Sequence, residues 1–499
     1  MTTAAVSGVP AYRAPLLQEL FSGPINATQL PNMAKMANPA DGFLPTRLAS
    51  GTEVLWVSDP TQLGDAFGPH VQPLWQNGLG LVVYRNEEQH CMGAIFIHGA
   101  MKTPWSAYGP DSWHALGGIM AFPGYSFEQA IEMVLGKGYA MTPKWRFIDL
   151  SLSAAGHPTL TQLGGGKAIL IHGPTFEEKK SGIAVSAEVA DALGIYISGP
   201  DQNVGEDRLN SIDWSDEFAR LATRNFVGSK NAEAKYRGIK PSQHTARGAF
   251  RGIKVVLEEL VGDRPPIFFQ GYGGVGKVMV ALAIENGLGI SGVSDAVADP
   301  LIGIRTSLPN IPLFLDAVAT GEQFGLERRR EEEAKARQHG IRVVSGLLEA
   351  LQLAPDTVIL SPNAGPHPVT VGVASYLKTS EVRAVVGAAN NMLGLDEQGS
   401  TDAIAWDLLE NGIFVPNDSR INRIGAMACM IDMIGLDRSA GLALQIRQVG
   451  EDVRGEINAY RQGTPPQLYS DALAAQEWNR ALDEGRAVGG RFPAMNPIG

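Results

Sequence analysis

Two lysines could carry an ammonium group into a cleft: Lys144 in Met141-Thr142-Pro143-Lys144, a segment that follows an expected helix, and Lys167 on the glycine turn Gly164-Gly165-Gly166-Lys167 that leads into a strand. Desolvated beside a second cation, a lysine gives up its proton near neutral pH and can act as a base. One that keeps its charge can hold a substrate carboxylate. Two solvated surface lysines would leave the same trace, so neither motif decides alone. A third feature is Gly271-Tyr272-Gly273-Gly274-Val275-Gly276, placed after the apolar run Ile267-Phe268-Phe269. A second apolar run from Ile290 to Ser294 ends at Asp295. In such a unit the first glycine allows a tight turn, the second lets backbone approach a pyrophosphate, and the third lets helix and strand pack closely. The helix start offers N–H groups to phosphate, and a carboxylate about 20 residues on accepts hydrogen bonds from a ribose diol. Asp295 would repel a 2′-phosphate, which favours NAD over NADP; the nearby Ser294 and Arg305 weigh the other way.

Strand, glycine turn, helix, strand and acid in that order predict a Rossmann-type, doubly wound α/β domain. Its later strands run into Pro362-Asn363-Ala364-Gly365, Gly387-Ala388-Ala389-Asn390 and Pro416-Asn417-Asp418, loops that line the cofactor crevice in such a sheet. Upstream, the 79–98 stretch reads as a hairpin around Arg85-Asn86-Glu87-Glu88-Gln89. Ser126 is placed to cap a helix bearing Ala130, Ile131, Val134 and Leu135 on one face. A strand ending in Pro200-Asp201-Gln202-Asn203 puts polar side chains where an α/β enzyme uses them, though Asx-turn chemistry gives the same composition. Residues 1–75 read as an N-terminal arm, 76–240 as an N-terminal α/β substrate domain, and 241–420 as the dinucleotide-binding domain. Residues 421–499 read as C-terminal helices packing back on the first domain, with a Gly/Pro-rich coil from Val488 onward.

With 499 residues the chain exceeds one core, which predicts two domains. A hydrophobic share of 44 % fits a globular protein, and a net charge of −11 without a basic stripe argues against nucleic acid. Cys91 and Cys429 show no framework or metal-ligand spacing, so no metal is expected and a reducing compartment fits. No signal-type or membrane-spanning run stands out, and the expected setting is cytoplasmic.

Taken in order, these motifs resemble the glutamate/leucine/phenylalanine/valine dehydrogenase superfamily over roughly residues 80 to 440. The likeness rests on Met141-Thr-x-Lys144, Gly164-Gly-Gly-Lys167, Thr245-Ala-x-Gly248, the glycine turn with Asp295, Gly387-Ala-x-Asn390, and Asn422 with Gly425. Members of that family oxidatively deaminate an L-amino acid with NAD(P), through an imine, in a cleft between two domains. The resemblance implies that Gly117 and Gly118 bind the substrate carboxylate through backbone N–H groups, helped by Lys144 and Asn422. It implies that Lys167 is the base, and that Thr245 and Asn390 hold the nicotinamide carboxamide. Ile119 and Met120 after the glycines favour an apolar or aromatic substrate side chain. A homo-oligomer acting on a small molecule is expected.

Three departures qualify the likeness. Asn203 occupies the position aligned with the family's catalytic acid, leaving Asp201 or Asp207 to substitute from a shifted turn, because an amide cannot shuttle a proton. The two lysines stand roughly twice the family's interval apart, with residues 151–162 expected as an inserted loop across the cleft. The N-terminal arm is also long. The first expectation is therefore an NAD-dependent oxidoreductase interconverting an amino acid with its 2-oxo acid and ammonia. A reductase of a carbonyl or preformed imine without ammonia is the second. A catalytically silent nucleotide-binding regulator is the third.

Overall fold

The computed structural model describes residues 47–57, 78–103, 112–123, 125–156, 163–173, 175–201, 204, 206–207, 212–213, 241–262, 264–365, 367–394, 401–430 and 437–492. The chain divides into two compact units, one of residues 1–142, 163–234 and 486–490, the other of residues 143–162, 235–485 and 491–499. Most of the expected N-terminal arm lies outside the described residues, as does Asn203.

In the first unit the strands are β1 (Glu53–Val57), β2 (Gly80–Asn86), β3 (Cys91–Ile97), β4 (Gly99–Thr103), β5 (Ser112–Phe122), β6 (Gly164–His172) and β7 (Tyr196–Pro200). A short antiparallel pair, β8 (Glu206–Asp207) and β9 (Ile212–Asp213), follows. The expected hairpin forms as β2 and β3, with Gly80 opposite Ile97 and Asn86 opposite Cys91. The main sheet runs β1-β2-β3-β6-β5-β4, with β7 also beside β5. Only β5 with β6 and β5 with β7 are parallel among these pairs. Helix α1 (Phe127–Ala154) starts where expected: Ser126 Oγ accepts the Gln129 N–H, and Gln129 Oε1 accepts the Ser126 N–H. Its Ala130, Ile131, Val134 and Leu135 are buried with strand residues such as Leu81, Phe96 and Ile169. Helix α2 (Phe176–Leu193) is held by a Thr175–Glu178 capping box and ends at left-handed Gly194.

Two sequence expectations are corrected here. Lys167 is not on a turn but in the middle of β6, opposite Phe96. The three glycines before it serve close packing: a side chain at Gly164 would collide with Gly99 backbone, and one at Gly165 with Thr142. Lys144 does not follow the helix but lies inside α1, which continues through Pro143 at the boundary of the two units.

The second unit opens with α3 (Pro241–Val256), a π turn (Leu257–Val261), β10 (Ile267–Gln270), α4 (Gly274–Glu285) and β11 (Ile290–Asp295). Then come α5 (Ala298–Ser307), β12 (Leu313–Asp316), α6 (Ala317–Gln338), β13 (Arg342–Val344), α7 (Leu347–Gln352), β14 (Ile359–Pro362), α8 (Val371–Leu377) and β15 (Ala384–Val385). All six strands are parallel, in the order β13-β12-β11-β10-β14-β15. The chain steps outward from β10 to β13 and then returns to the other side at β14. The order therefore reverses between β10 and β14, the switch point where doubly wound sheets bind ligands. Helices α9 (Asp402–Glu410), α10 (Asp418–Ile421), α11 (Ile424–Met430), α12 (Arg438–Arg461) and α13 (Pro466–Asp483) complete the unit. Residues 421–485 thus group with the nucleotide fold, not the first unit, because α11 and α12 bury their faces against α3. The expected terminal coil holds one more strand, β16 (Ala487–Gly489), which pairs with β4.

Candidate functional site

The glycine turn follows β10 at the switch point. Gly271 takes φ +88°, and a side chain there would strike Ala364 in the loop after β14. A side chain at Gly276 would collide with the Gly271 carbonyl, so the third residue of α4 must be a glycine for the turn to close on it. At Gly273 an added Cβ would meet nothing within 4 Å, which leaves open space beside the first turn of α4. Gly274 packs on Ser242, and Val275 completes the turn. A dinucleotide pyrophosphate fits this arrangement.

Asp295 ends β11, as the spacing predicts. One carboxylate oxygen accepts the Tyr272 N–H at 2.5 Å and the other the Val297 N–H at 2.9 Å. Burial raises its pKa, while the Tyr272 and Val297 N–H groups and the Lys277 charge pull it back. The Ala296 N–H adds a third backbone hydrogen bond to the carboxylate. Arg305 is committed to the carbonyls of Pro309 and Gly340, at 2.8 and 3.3 Å.

The loops after β14 and β15 are tied together. Asn363 Nδ2 donates to Ser361 O at 2.9 Å, and its Oδ1 accepts the Ala388 N–H at 3.1 Å. Two residues on, Asn390 Oδ1 accepts from both Lys144 Nζ and Asn422 Nδ2, each at 2.9 Å. Asn422 also reaches the Ala388 carbonyl at 3.3 Å. Because both donors claim the oxygen, the Asn390 amide is oriented with its NH₂ turned to other partners. Asp418 lies beside this group and accepts the Asn391 N–H at 2.7 Å. Burial raises the Asp418 pKa and the Lys144 charge lowers it. Thr245, on α3, donates to Pro241 O at 3.1 Å and lies against Gly425, where a side chain would collide with its hydroxyl. At Gly248 an added Cβ would stand 2.8 Å from the Ile421 carbonyl. These two glycines let α3 seat against the turn that carries Asn422.

The first unit brings together a different set. Lys167 and Asp201 form an ion pair, with Lys167 buried in β6 and Asp201 just past β7. Gly117 and Gly118 lie in mid-strand on β5, next to both. A side chain at Gly118 would run into Asp201, and one at Gly117 into Gly166 backbone. Of the two acids named as substitutes for Asn203, Asp201 is the one paired with Lys167. Below it, His98 Nδ1 is 2.9 Å from Thr142 Oγ1, and burial lowers the His98 pKa to about 3.

Sequence reasoning missed Arg420 and Arg423, and read Asp418 only as part of a crevice loop. A short polar run before an apolar helix gave no sign that these charges would be buried. No group of three or more potential metal ligands occurs among the described residues. Nor is any of their helices long and apolar enough to cross a membrane.

No family model matches the chain. A leucine dehydrogenase of Thermoactinomyces intermedius is 28 % identical over 184 residues, which are 37 % of this chain and 42 % of that protein. The match therefore spans less than half the length of that relative. Among solved structures, the hetero-hexameric glutamate dehydrogenase of Thermus thermophilus superposes with a TM-score of 0.54 at 16 % identity, covering 85 % of this chain and 96 % of that one. Another glutamate dehydrogenase gives a TM-score of 0.52 at 14 % identity, over 95 % of each chain.

Proposed function

We propose that this chain, which has the two-domain fold of the amino acid dehydrogenase superfamily, is an NAD-dependent oxidoreductase. It interconverts an L-amino acid of apolar or aromatic side chain with its 2-oxo acid and ammonia. The observation that carries the reading is the Lys167–Asp201 ion pair beside Gly117 and Gly118. Deamination needs a base to activate water against an imine carbon and an acid to manage the amine proton. Lys167 takes the first role and Asp201 the second.

The second unit carries the residues proposed for the cofactor. Gly271, Gly273, Gly274, Val275 and Gly276 would cradle the pyrophosphate, and Asp295 would hold the adenosine ribose. Its carboxylate supports NAD over NADP. NAD held there would supply the hydride acceptor or donor. Asn390, fixed by Lys144 and Asn422, would turn its NH₂ to the nicotinamide carboxamide, with Thr245 and the Asn363–Ala388 loop beside it. Lys144 and Asn422 remain the side chains proposed for the substrate carboxylate. The reading includes a cytoplasmic homo-oligomer; the Thermus relative is a hetero-hexamer, which supports assembly but not identical subunits.

The test is NADH oxidation against a panel of 2-oxo acids, with and without ammonium. Turnover of an apolar or aromatic oxo acid only with ammonium is expected. Ammonium-independent turnover would replace this reading with carbonyl or imine reduction, and NADH binding without any turnover would replace it with a regulatory role.

A further inference from the structure

We propose that the stretch of α1 beyond Lys144 is a strut that sets where the Lys144 ammonium stands, and that Arg420 and Arg423 grip it. Lys144, Phe147 and Ser151 are spaced i, i+3 and i+7, which puts them on one helix face. Each meets the same neighbourhood of the second unit. Lys144 donates to Asn390 Oδ1, which Asn422 also engages. Phe147 lies beneath the Arg420 guanidinium, 4.6 Å from the ring centroid. Ser151 Oγ accepts from Arg423 Nη2 at 3.0 Å and donates to Phe147 O at 2.7 Å. The three partners come from one turn, residues 418–423, and from the Asn390 loop bonded to it.

The grip is anchored on its far side. Arg423, fully buried, also binds Asp452 at 2.5 Å, Gln445 at 3.1 Å and the Arg420 carbonyl at 2.9 Å. It therefore rivets the strut to α12, with Asp452 balancing its charge. A second fastening lies on the opposite side of the strut, where Arg146 pairs with Asp149 at 2.7 Å and stands 5.8 Å over the Trp478 ring. The lengthened interval between the lysines thus begins as ordered helix: residues 151–154, expected as loop, are helical, and Ser151 itself carries one of the bonds.

The catalytic meaning of this strut rests on the proposed function, because only there does Lys144 hold substrate. The experiment separates the two with the full chain and the variants Ser151→Ala, Phe147→Leu and Ser151→Thr. Competitive acetylation with acetic anhydride, read by mass spectrometry, reports Lys144 exposure without any need for turnover. Ser151→Ala and Phe147→Leu should raise Lys144 labelling and increase KM for the oxo acid about tenfold or more, as expected when a binding group is misplaced by a fraction of an ångström to an ångström. Affinity for NADH should change less, by about twofold, since the pyrophosphate and ribose contacts proposed for the glycine turn and Asp295 lie apart from the strut and Asn422 still holds the Asn390 amide. Ser151→Thr, which keeps the hydroxyl, should restore both readouts. If folded Ser151→Ala labels Lys144 at the wild-type rate, the strut is refuted, whatever the activity. If wild-type protein turns over nothing while labelling shifts as expected, the strut stands and the enzymatic reading falls.

Discussion

On the proposed reading, Lys167 would return to its basic form in each cycle only if its proton had a receiver, and Asp201 is in contact with it. An amide in place of that carboxylate keeps the shape but cannot accept a proton. Asp201→Asn should therefore slow amino acid oxidation by about 10²–10⁴-fold, the span of general acid–base catalysis, and leave NADH affinity unchanged. Stopped-flow single turnovers with fluorescence titration measure both, and wild-type rates in the variant would remove Asp201 from the chemistry. Asp295 offers an independent check on the cofactor side. Its oxygens already fasten the glycine turn through Tyr272 and Val297. Asp295→Ala should weaken NAD binding by about 1–3 kcal/mol, the scale of a lost charged hydrogen bond. Unchanged affinity by calorimetry would mean that another group holds the ribose.

Between elements, the decisive contacts are made by missing side chains. Gly425 and Gly248 bring α3 and the Asn422 turn together. Gly425→Ala must displace Thr245 or part the two elements, so it should destabilise the protein by about 1–3 kcal/mol, as overpacking does. Chemical denaturation would show it, and a midpoint within error of wild type would mean that the turn yields without strain. The same contacts explain what could be read from sequence. The glycine turn, α4, β11 and Asp295 were legible because local rules specify them: a left-handed Gly271, a crowded Gly276, an acid one strand away. Lys167 was singled out but was placed on a turn, because three glycines signal a bend when their effect is to let β6 pass close to Gly99 and Thr142. Lys144 was placed after its helix because Pro143 signals a break, yet packing of Trp145, Ile148 and Leu152 carries the helix through. Asp201 was one of two substitutes because turn length decides which acid meets Lys167, and no composition encodes it.

Across the whole molecule, buried titratable groups make stability depend on pH with opposite signs in the two units. In the second unit Glu456 is fully buried, bonded to Ser470 Oγ at 2.5 Å and to the Asn417 N–H at 3.3 Å. Burial pushes its pKa from 4.5 up to about 8, against the pull of Arg420. As pH rises above 4.5 the unfolded chain ionises this carboxyl while the folded chain keeps its proton. Stability from this group is thus complete below that value, falls as pH climbs to about 8, and is level beyond. In the first unit burial lowers His98 from 6.5 to about 3 and His114 to about 4. Here the unfolded chain takes up protons first, so their contribution is complete above 6.5 and is lost as pH falls toward 4. Where the units melt together the two slopes combine and place an optimum between them, and where they melt apart each transition carries its own slope. Glu456→Gln mimics the protonated side chain at every pH. It should flatten the decline in melting temperature between pH 5 and 8 and leave the acid limb intact, as followed by scanning calorimetry. An alkaline slope as steep as that of the wild type would show that Glu456 is ionised in the folded protein, with Arg420 outweighing its burial.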